Sequence, residues 1–429
     1  MKVFERSFSK TRRFEEIVRV LVRYGLADWL EAAHLEWLQS ILRNPAGESL
    51  ASLSTERRVR LALTDLGTTF IKLGQILSTR ADLIGPRLAE ELRELQSATP
   101  PDPPNVACRT ICEELGSEPH TLYANFEAEA FASASIGQVH DATLFDGTRV
   151  VVKVQHPGIE AQIRSDLEIL DTLAHLAERH SRELSLYRPV ALIEQFGRIL
   201  LRELDFTREA RNLEHFNDNF EGDRRVVFPK PFVELSSKHV LTMSRLDGKR
   251  LLEKRRLEAE GHDLTELARR GADLYMTMVF RDGFFHADPH PGNFLVLPDD
   301  VIGLLDAGMV GSVDSRRRQQ FGGLVEGIVT SDAELLTHYV LQIGQPPDSL
   351  DADRLRTDVT EFVSDYIGSS VERLDLSQAL SDFTAIIRKH RIHLPADVAL
   401  LIKLLVMLEG TSRLLTADFS LAAVAERHY

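Results

Sequence analysis

Four prolines fall within the six residues TPPDPP (99–104), and no helix can run through them, because each proline lacks an amide donor and crowds the preceding turn. The stretch divides the chain into parts of different character. Before it, STERRVRLALTDLGTTFIKLGQILSTR opens on the cap-type residues Ser54 and Thr55. Leu61, Leu66, Phe70, Leu73 and Leu77 then recur at helical spacing, so the first hundred residues read as helices. After it come SIGQVHDATLF and TRVVVKVQ, joined through Asp146-Gly147, which predict a β-hairpin. Helical stretches follow over about 160–180 and 188–218, then RVVFPKPFVEL and KHVLTMSRL as strands. From about residue 249 helices dominate, interrupted by FFHADPHPGN (284–293) and a small hairpin, NFLVL, Pro298 to Asp300, VIGLLD. A sheet-rich half before a helix-rich half, with polar motifs near the junction, predicts a cleft between two lobes. There is no internal repeat.

With 429 residues, 43% hydrophobic and 27% charged, the chain has the composition of a globular protein with ample core. Its formal charge of -14 argues against nucleic acid as the main partner. Arg6, Lys10, Arg12, Arg13, Arg19 and Arg23 make the first helix basic, which suits a solvated face or a membrane surface. Cys108 and Cys112 lack the further ligands of a zinc site and read as small core residues of a reduced compartment. MKVFERSFSKTRRFEE has no apolar stretch after its charges, and VALLIKLLVMLEG (398–410) is interrupted by Lys403 and is too short to span a bilayer. The expectation is a cytoplasmic protein with no transmembrane helix, at most peripheral to a membrane.

The segment FFHADPHPGN spaces His286 and His290 four apart, as in helical zinc motifs, but Pro289 and Pro291 oppose the helix that would align the two rings. Asp288 and Asn293 are five apart, the spacing by which a catalytic loop offers a carboxylate to a nucleophile and an amide to a metal ion. Thirteen residues later VIGLLD runs into Asp306-Ala307-Gly308, and a hairpin between them would bring Asp306 back beside Asn293. In VVVKVQ, Lys153 interrupts an apolar strand; a phosphate is one anion that would justify it, and a solvent-facing edge lysine is the plain alternative. FASASIGQVH occupies the place of a glycine-rich phosphate loop, with small residues at Ala132, Ser133, Ala134 and Ser135. LLRELDFTREARNLEHF offers Glu203, Asp205 and Glu209 with Asn212 beyond; read as one helix, Glu203 and Glu209 face different sides and suit two different cations, and a solvated charged face is the alternative.

With KLGQ, ELDFTREA, HADPHPGN and DAG in this order, the chain closely resembles the UbiB/AarF family of atypical protein-kinase-like proteins, the ADCK proteins among them. The resemblance implies an α+β, bilobal protein-kinase-like fold, with an N-terminal helical extension (1–105), a kinase-like N-lobe (106–247) and a largely helical C-lobe (248–429). It implies ATP and Mg²⁺ as cofactors, with Lys153 as the nucleotide lysine, Glu209 as its ion-pair partner and Ala132 to Ser135 as the alanine-rich loop. Met243 falls in the hinge, Asp288 matches the catalytic aspartate, and Asn293 and Asp306 match the metal ligands. Lys72, Gly74 and Gln75 match the K-x-G-Q signature of an extension that folds over the cleft near Glu203 and Asp205. Such a lid obstructs protein substrates, and the family is associated with ATP hydrolysis and with biosynthesis of ubiquinone and other isoprenoid lipids. That implies a lipid or quinone-precursor ligand, a membrane surface and lipid-synthesis proteins as partners. Ser133 stands where alanine is usual, Ser244 where an acidic residue commonly follows the hinge methionine, and AERHY ends the chain without the membrane helices of the namesake bacterial members. Two alternatives are an ATP-gated scaffold for lipid-synthesis enzymes and a small-molecule kinase resembling aminoglycoside phosphotransferases, which the K-x-G-Q and E-x-D signatures disfavour.

Overall fold

The computed structural model describes residues 2–26, 53–78, 80–95, 99–180, 188–366 and 374–428. The side chains of residues 2–11, Arg6 and Lys10 among them, and the stretch 27–52 of the expected helical extension lie outside that description. The chain forms two interleaved compact units, Met1–Phe206 with Leu235–Thr242, and Thr207–Glu234 with Met243–Tyr429.

The first unit begins with helices α1 (Lys2–Arg23), α2 (Thr55–Leu66), α3 (Thr68–Leu77), α4 (Pro86–Arg93) and α5 (Pro104–Leu115). Ser54 caps α2, its hydroxyl accepting from the Arg57 amide at 3.2 Å. The periodic run 54–80 is two helices rather than one, because Gly67 takes φ +86°, a conformation that L side chains rarely adopt. TPPDPP ends as expected, with Pro104 opening α5, where a missing amide costs nothing. Cys108 and Cys112, on α5, are half-buried rather than enclosed in core, and burial raises both thiols above their ordinary range.

The sheet of this unit runs in the order β1 (Asn125–Phe126), β3 (Gly137–Thr143), β4 (Arg149–Gln155), β6 (Val240–Ser244), with β2 (Ala132–Ser133) also on β3 and the last two residues of β6 in the second unit. The β3–β4 hairpin pairs Gly137 with Gln155 through Thr143 with Arg149, turning at Gly147. Val150, Val152 and Val154 alternate into the core. Helices α6 (Ile159–His180) and α7 (Pro189–Glu203) pack on each other. The expected helix 188–218 is in fact α7 and, across Leu204-Asp205, a separate helix α8 (Phe206–Asn219), so no single axis relates Glu203 to Glu209.

The second unit holds α8 and a sheet ordered β5 (Val226–Val227), β10 (Val301–Leu304), β9 (Phe294–Leu297), β7 (Lys249–Arg250). A two-stranded ribbon joins β8 (Phe284–His286) to β11 (Val310–Ser312). Helix α9 (Leu264–Met276) widens into a π-helical turn over Thr277–Asp282 and stops at Gly283, φ +64°, where an added methyl would meet the Val313 carbonyl oxygen at 2.5 Å. The remaining helices are α10 (Ser315–Val329), α11 (Ala333–Ile343), α12 (Ala352–Tyr366), α13 (Leu376–Lys389) and α14 (Ala396–Leu415). Lys403 is half-buried on α14, and among the described residues no helix is long and apolar enough to cross a membrane.

Candidate active site

In the second unit the two aromatic residues that enter the polar loop are anchored. Phe285 is fully buried, and Phe284 stacks on His215 at 4.1 Å and leans on Phe216 at 4.8 Å. His286 follows, 1% exposed, and its hydrogen bonds fix its tautomer. The Nδ1 atom accepts from the Asp288 amide at 3.2 Å and faces the Tyr275 hydroxyl at 3.3 Å. Since Nδ1 accepts, Nε2 carries the proton and donates to the backbone carbonyl of Asp306. Burial lowers the affinity of His286 for a second proton, against the opposing charges of Asp288 and Asp306. Burial likewise raises the Tyr275 phenol well above its usual range, with the Asp288 charge adding to it. His286 is a neutral strut between the two acidic loops, and His290 caps the turn at Pro291–Asn293 by accepting from the Gly292 amide at 3.0 Å. Among the described residues no group of three or more His, Cys, Asp or Glu is placed to hold a metal.

Asn293 donates from Nδ2 to both the carbonyl (3.1 Å) and carboxylate Oδ2 (3.0 Å) of Asp288. Both bonds use Nδ2, so neither engages Oδ1 of the asparagine. Strands β9 and β10 pair Phe294 with Leu304, and the Leu305 amide donates to the Asn293 carbonyl at 3.0 Å, so Asp306 returns beside Asn293. The Asp306 carboxylate accepts from the Gly308 amide at 2.7 Å. A methyl at Gly308 would lie 3.0 Å from Asp306 Oδ1 and 3.9 Å from Glu209 Oε2, so Glu209, 4% exposed, faces the same turn. Asn212, one helical turn on, donates to the Ala307 carbonyl at 2.8 Å. Carboxylate and amide oxygens suit a hard cation such as Mg²⁺, whose remaining ligands would be water and phosphate oxygens. Met243, 8% exposed, bridges to Pro231, and the Ser244 hydroxyl accepts from the Lys230 amide at 2.8 Å.

In the first unit Ala132 pairs with Val139, and Val139 pairs with Lys153. One row across three strands thus carries the alanine-rich loop and the lysine on the same face, about 10 Å apart by strand spacing. The Lys153 ammonium stands 5.0 Å over the Phe206 ring. Ser135 is buried; the Ser133 hydroxyl is shielded from water and has no hydrogen-bond partner among the described residues. Lys153 belongs to this unit and Glu209 to the other.

The K-x-G-Q helix has a physical reason at each position. Lys72 meets the Glu203 carboxylate at 2.8 Å, with side-chain exposures of 19% and 8%. At Gly74 a methyl would come within 2.2 Å of Leu95 and 2.9 Å of Leu63, so any side chain there would have to displace both leucines. Gln75 donates to the Leu95 carbonyl at 3.1 Å. Asp205 lies in the link between α7 and α8, its amide on the Arg202 carbonyl. Three residues escaped the sequence reading: Tyr275, Asp166, and Thr411 on α14, whose buried hydroxyl donates to the Pro289 carbonyl at 2.9 Å. Only Asn212, three residues beyond Glu209, left a local signal.

Family models match two regions of the chain, the ABC1 atypical kinase-like domain at residues 94–340 and the UbiB helical domain at 359–420. The chain belongs to the UbiB family of atypical kinase-like proteins. The "Probable protein kinase UbiB" of Pseudomonas paraeruginosa is 35% identical over 431 residues, covering 97% of this chain and 80% of that one. Its Aliivibrio fischeri counterpart is 32% identical over 427 residues, covering 97% and 78%. The structure of Rv3197 with erythromycin from Mycobacterium tuberculosis matches with a TM-score of 0.55 at 23% identity, over 83% of this chain and 90% of that one, a likeness of fold. The α+β, kinase-like architecture expected from the sequence is what the chain has.

Proposed function

We propose that this UbiB-family protein binds ATP with Mg²⁺ and moves its terminal phosphoryl group to water or a small acceptor in isoprenoid-lipid or quinone metabolism. The observation that carries this reading is the clamp of Asn293 on Asp288 beside a returning Asp306. In that reading Asp288 takes the proton of the attacking hydroxyl, and Asn293 keeps its carboxylate aimed while leaving its own oxygen for the cation. Mg²⁺ held by Asn293 and Asp306 would neutralise β- and γ-phosphate charge. Lys153 steadies the phosphates with the backbone of Ala132 to Ser135, Glu209 is its proposed ion-pair partner, and Met243 lies at the adenine. Neutral His286 ties the Asp288 loop to the Asp306 loop, so both acidic groups keep their spacing through turnover.

The Lys72–Glu203 pair supports the K-x-G-Q extension as a lid, and a lid favours small or lipid acceptors over protein chains. The UbiB names of the relatives support the quinone pathway, with a membrane surface and lipid-synthesis proteins as proposed partners. The test is Mg²⁺-dependent ATP binding and phosphate release by purified protein, with and without anionic vesicles and phenolic quinone precursors. Turnover raised by vesicles or phenols is the expected result. ATP binding without turnover under every condition would favour the ATP-gated scaffold, and transfer to a soluble metabolite would favour a small-molecule kinase.

A further inference from the structure

A chain of hydrogen bonds ties the TPPDPP linker to the alanine-rich loop, and its donor sense is fixed at every link. The Asp102 amide donates to Gln138 Oε1 at 2.6 Å, so Gln138 Nε2 is the atom that donates to His140 Nε2 at 3.0 Å. His140 then carries its single proton on Nδ1, 2.9 Å from the Glu127 carbonyl, and burial keeps it neutral. His156 is in the opposite position. Its Nδ1 lies 2.6 Å from Asp102 Oδ2 and its Nε2 lies 2.9 Å from the Ala134 carbonyl. A carboxylate and a carbonyl can only accept, and a neutral imidazole has one N–H, so only an imidazolium satisfies both. Its own amide also donates to the Ile136 carbonyl at 2.9 Å, and the Ala134 amide donates to the Gly137 carbonyl at 2.9 Å.

We propose that His156, held as an imidazolium between Asp102 and the Ala134 carbonyl, is a positioning residue that sets the shape of the Ala132–Ser135 loop. The proposal rests on the reading of that loop as the phosphate clamp and adds to it a proton on which the clamp depends. A side chain that could not serve both partners would leave Asp102 or the Ala134 carbonyl without its link, and the loop would loosen. His156 lines a groove of ≈ 1020 Å³. The charged groups on that groove's other walls are Arg13 from α1, Glu113 and Glu114 from α5, and Glu160, Arg164, Asp166 and Glu168 from α6, with His239 facing Glu114 at 2.7 Å.

Three measurements on the full chain decide it. Nitrogen-15 shifts at pH 6.5, assigned by the resonances lost in His156→Gln, should show both His156 ring nitrogens protonated. Affinity for a fluorescent ATP analogue should fall about tenfold in His156→Gln, the effect of one charge-assisted hydrogen bond. His156→Arg, charged and able to donate in two directions, should hold wild-type affinity. Amide exchange of residues 132–136 should rise in His156→Gln and stay low in His156→Arg. One protonated nitrogen, or His156→Gln with wild-type affinity and exchange, would overturn the proposal. If neither the wild type nor a variant binds nucleotide, the ATP reading fails by itself, and the nitrogen shifts and loop exchange still decide the role of His156.

Discussion

Asp166 on α6 has a fully buried carboxylate and is the point where the extension is fastened within the first unit. It accepts from Arg13 Nε at 2.8 Å, from Arg13 Nη2 at 3.3 Å and from the Thr69 hydroxyl at 2.6 Å. Arg13 in turn donates to the Leu66 carbonyl at 2.6 Å, so one carboxylate holds α1, the end of α2 and the start of α3. Substituting Asp166→Ala strands a guanidinium and a hydroxyl. Removing one partner of a buried pair costs about 3–5 kcal/mol, and because Arg13 is 18% exposed and keeps Glu16 at 3.0 Å, the lower end, about 3 kcal/mol, is expected. At about 1.4 kcal/mol per tenfold, local opening of α2 and α3 should become about 100-fold more frequent. Hydrogen exchange of residues 55–77 read by mass spectrometry checks this. The double substitution Arg13→Met with Asp166→Leu, which leaves no stranded charge, should recover most of the protection. Exchange in 55–77 that stays within about threefold of wild type in Asp166→Ala would refute the reasoning, since that is under 1 kcal/mol.

Gly74→Ala should cost about 1–3 kcal/mol by overpacking against Leu95 and Leu63, read as a lower unfolding midpoint in denaturant. Thr411→Val should lower phosphate release by about tenfold through a displaced Pro289 carbonyl, with Thr411→Ser restoring it, since serine keeps the hydroxyl. Burial depresses protonation of His286 below its ordinary 6.5, so the unfolded chain takes the proton first. Stability supplied by neutral His286 is therefore complete above about pH 6.5 and declines as pH falls toward its lower folded value, and thermal unfolding of His286→Gln should lack that part of the acid dependence. Ser133→Ala should leave the unliganded protein equal or more stable, by up to about 1 kcal/mol in thermal unfolding, because it removes a shielded hydroxyl with no partner among the described residues.

What the sequence made legible is local. The Asp146-Gly147 turn, the helix break at the four prolines and the hairpin between Asn293 and Asp306 each depend on residues within a few positions of one another, and all three stand in the structure. The breaks at Gly67 and at Leu204-Asp205 were hidden because leucine periodicity continues across both, and only tertiary packing decides that the backbone turns there. Asp166 and Thr411 were invisible for a different reason. Their partners Arg13 and Pro289 lie 153 and 122 residues away, and no spacing rule connects them. His156 stands just past TRVVVKVQ, and its two acceptors lie 54 and 22 residues away.

The central claim is that Asp288, aimed by Asn293, takes the proton in phosphoryl transfer from ATP. The direct measurement is Mg²⁺-dependent phosphate release by wild type and Asp288→Asn, with ATP affinity measured on both. The expectation is a fall in turnover of about 10²–10⁴-fold in Asp288→Asn, the range for a lost acid–base group, with affinity within about threefold. Turnover unchanged by Asp288→Asn would contradict it.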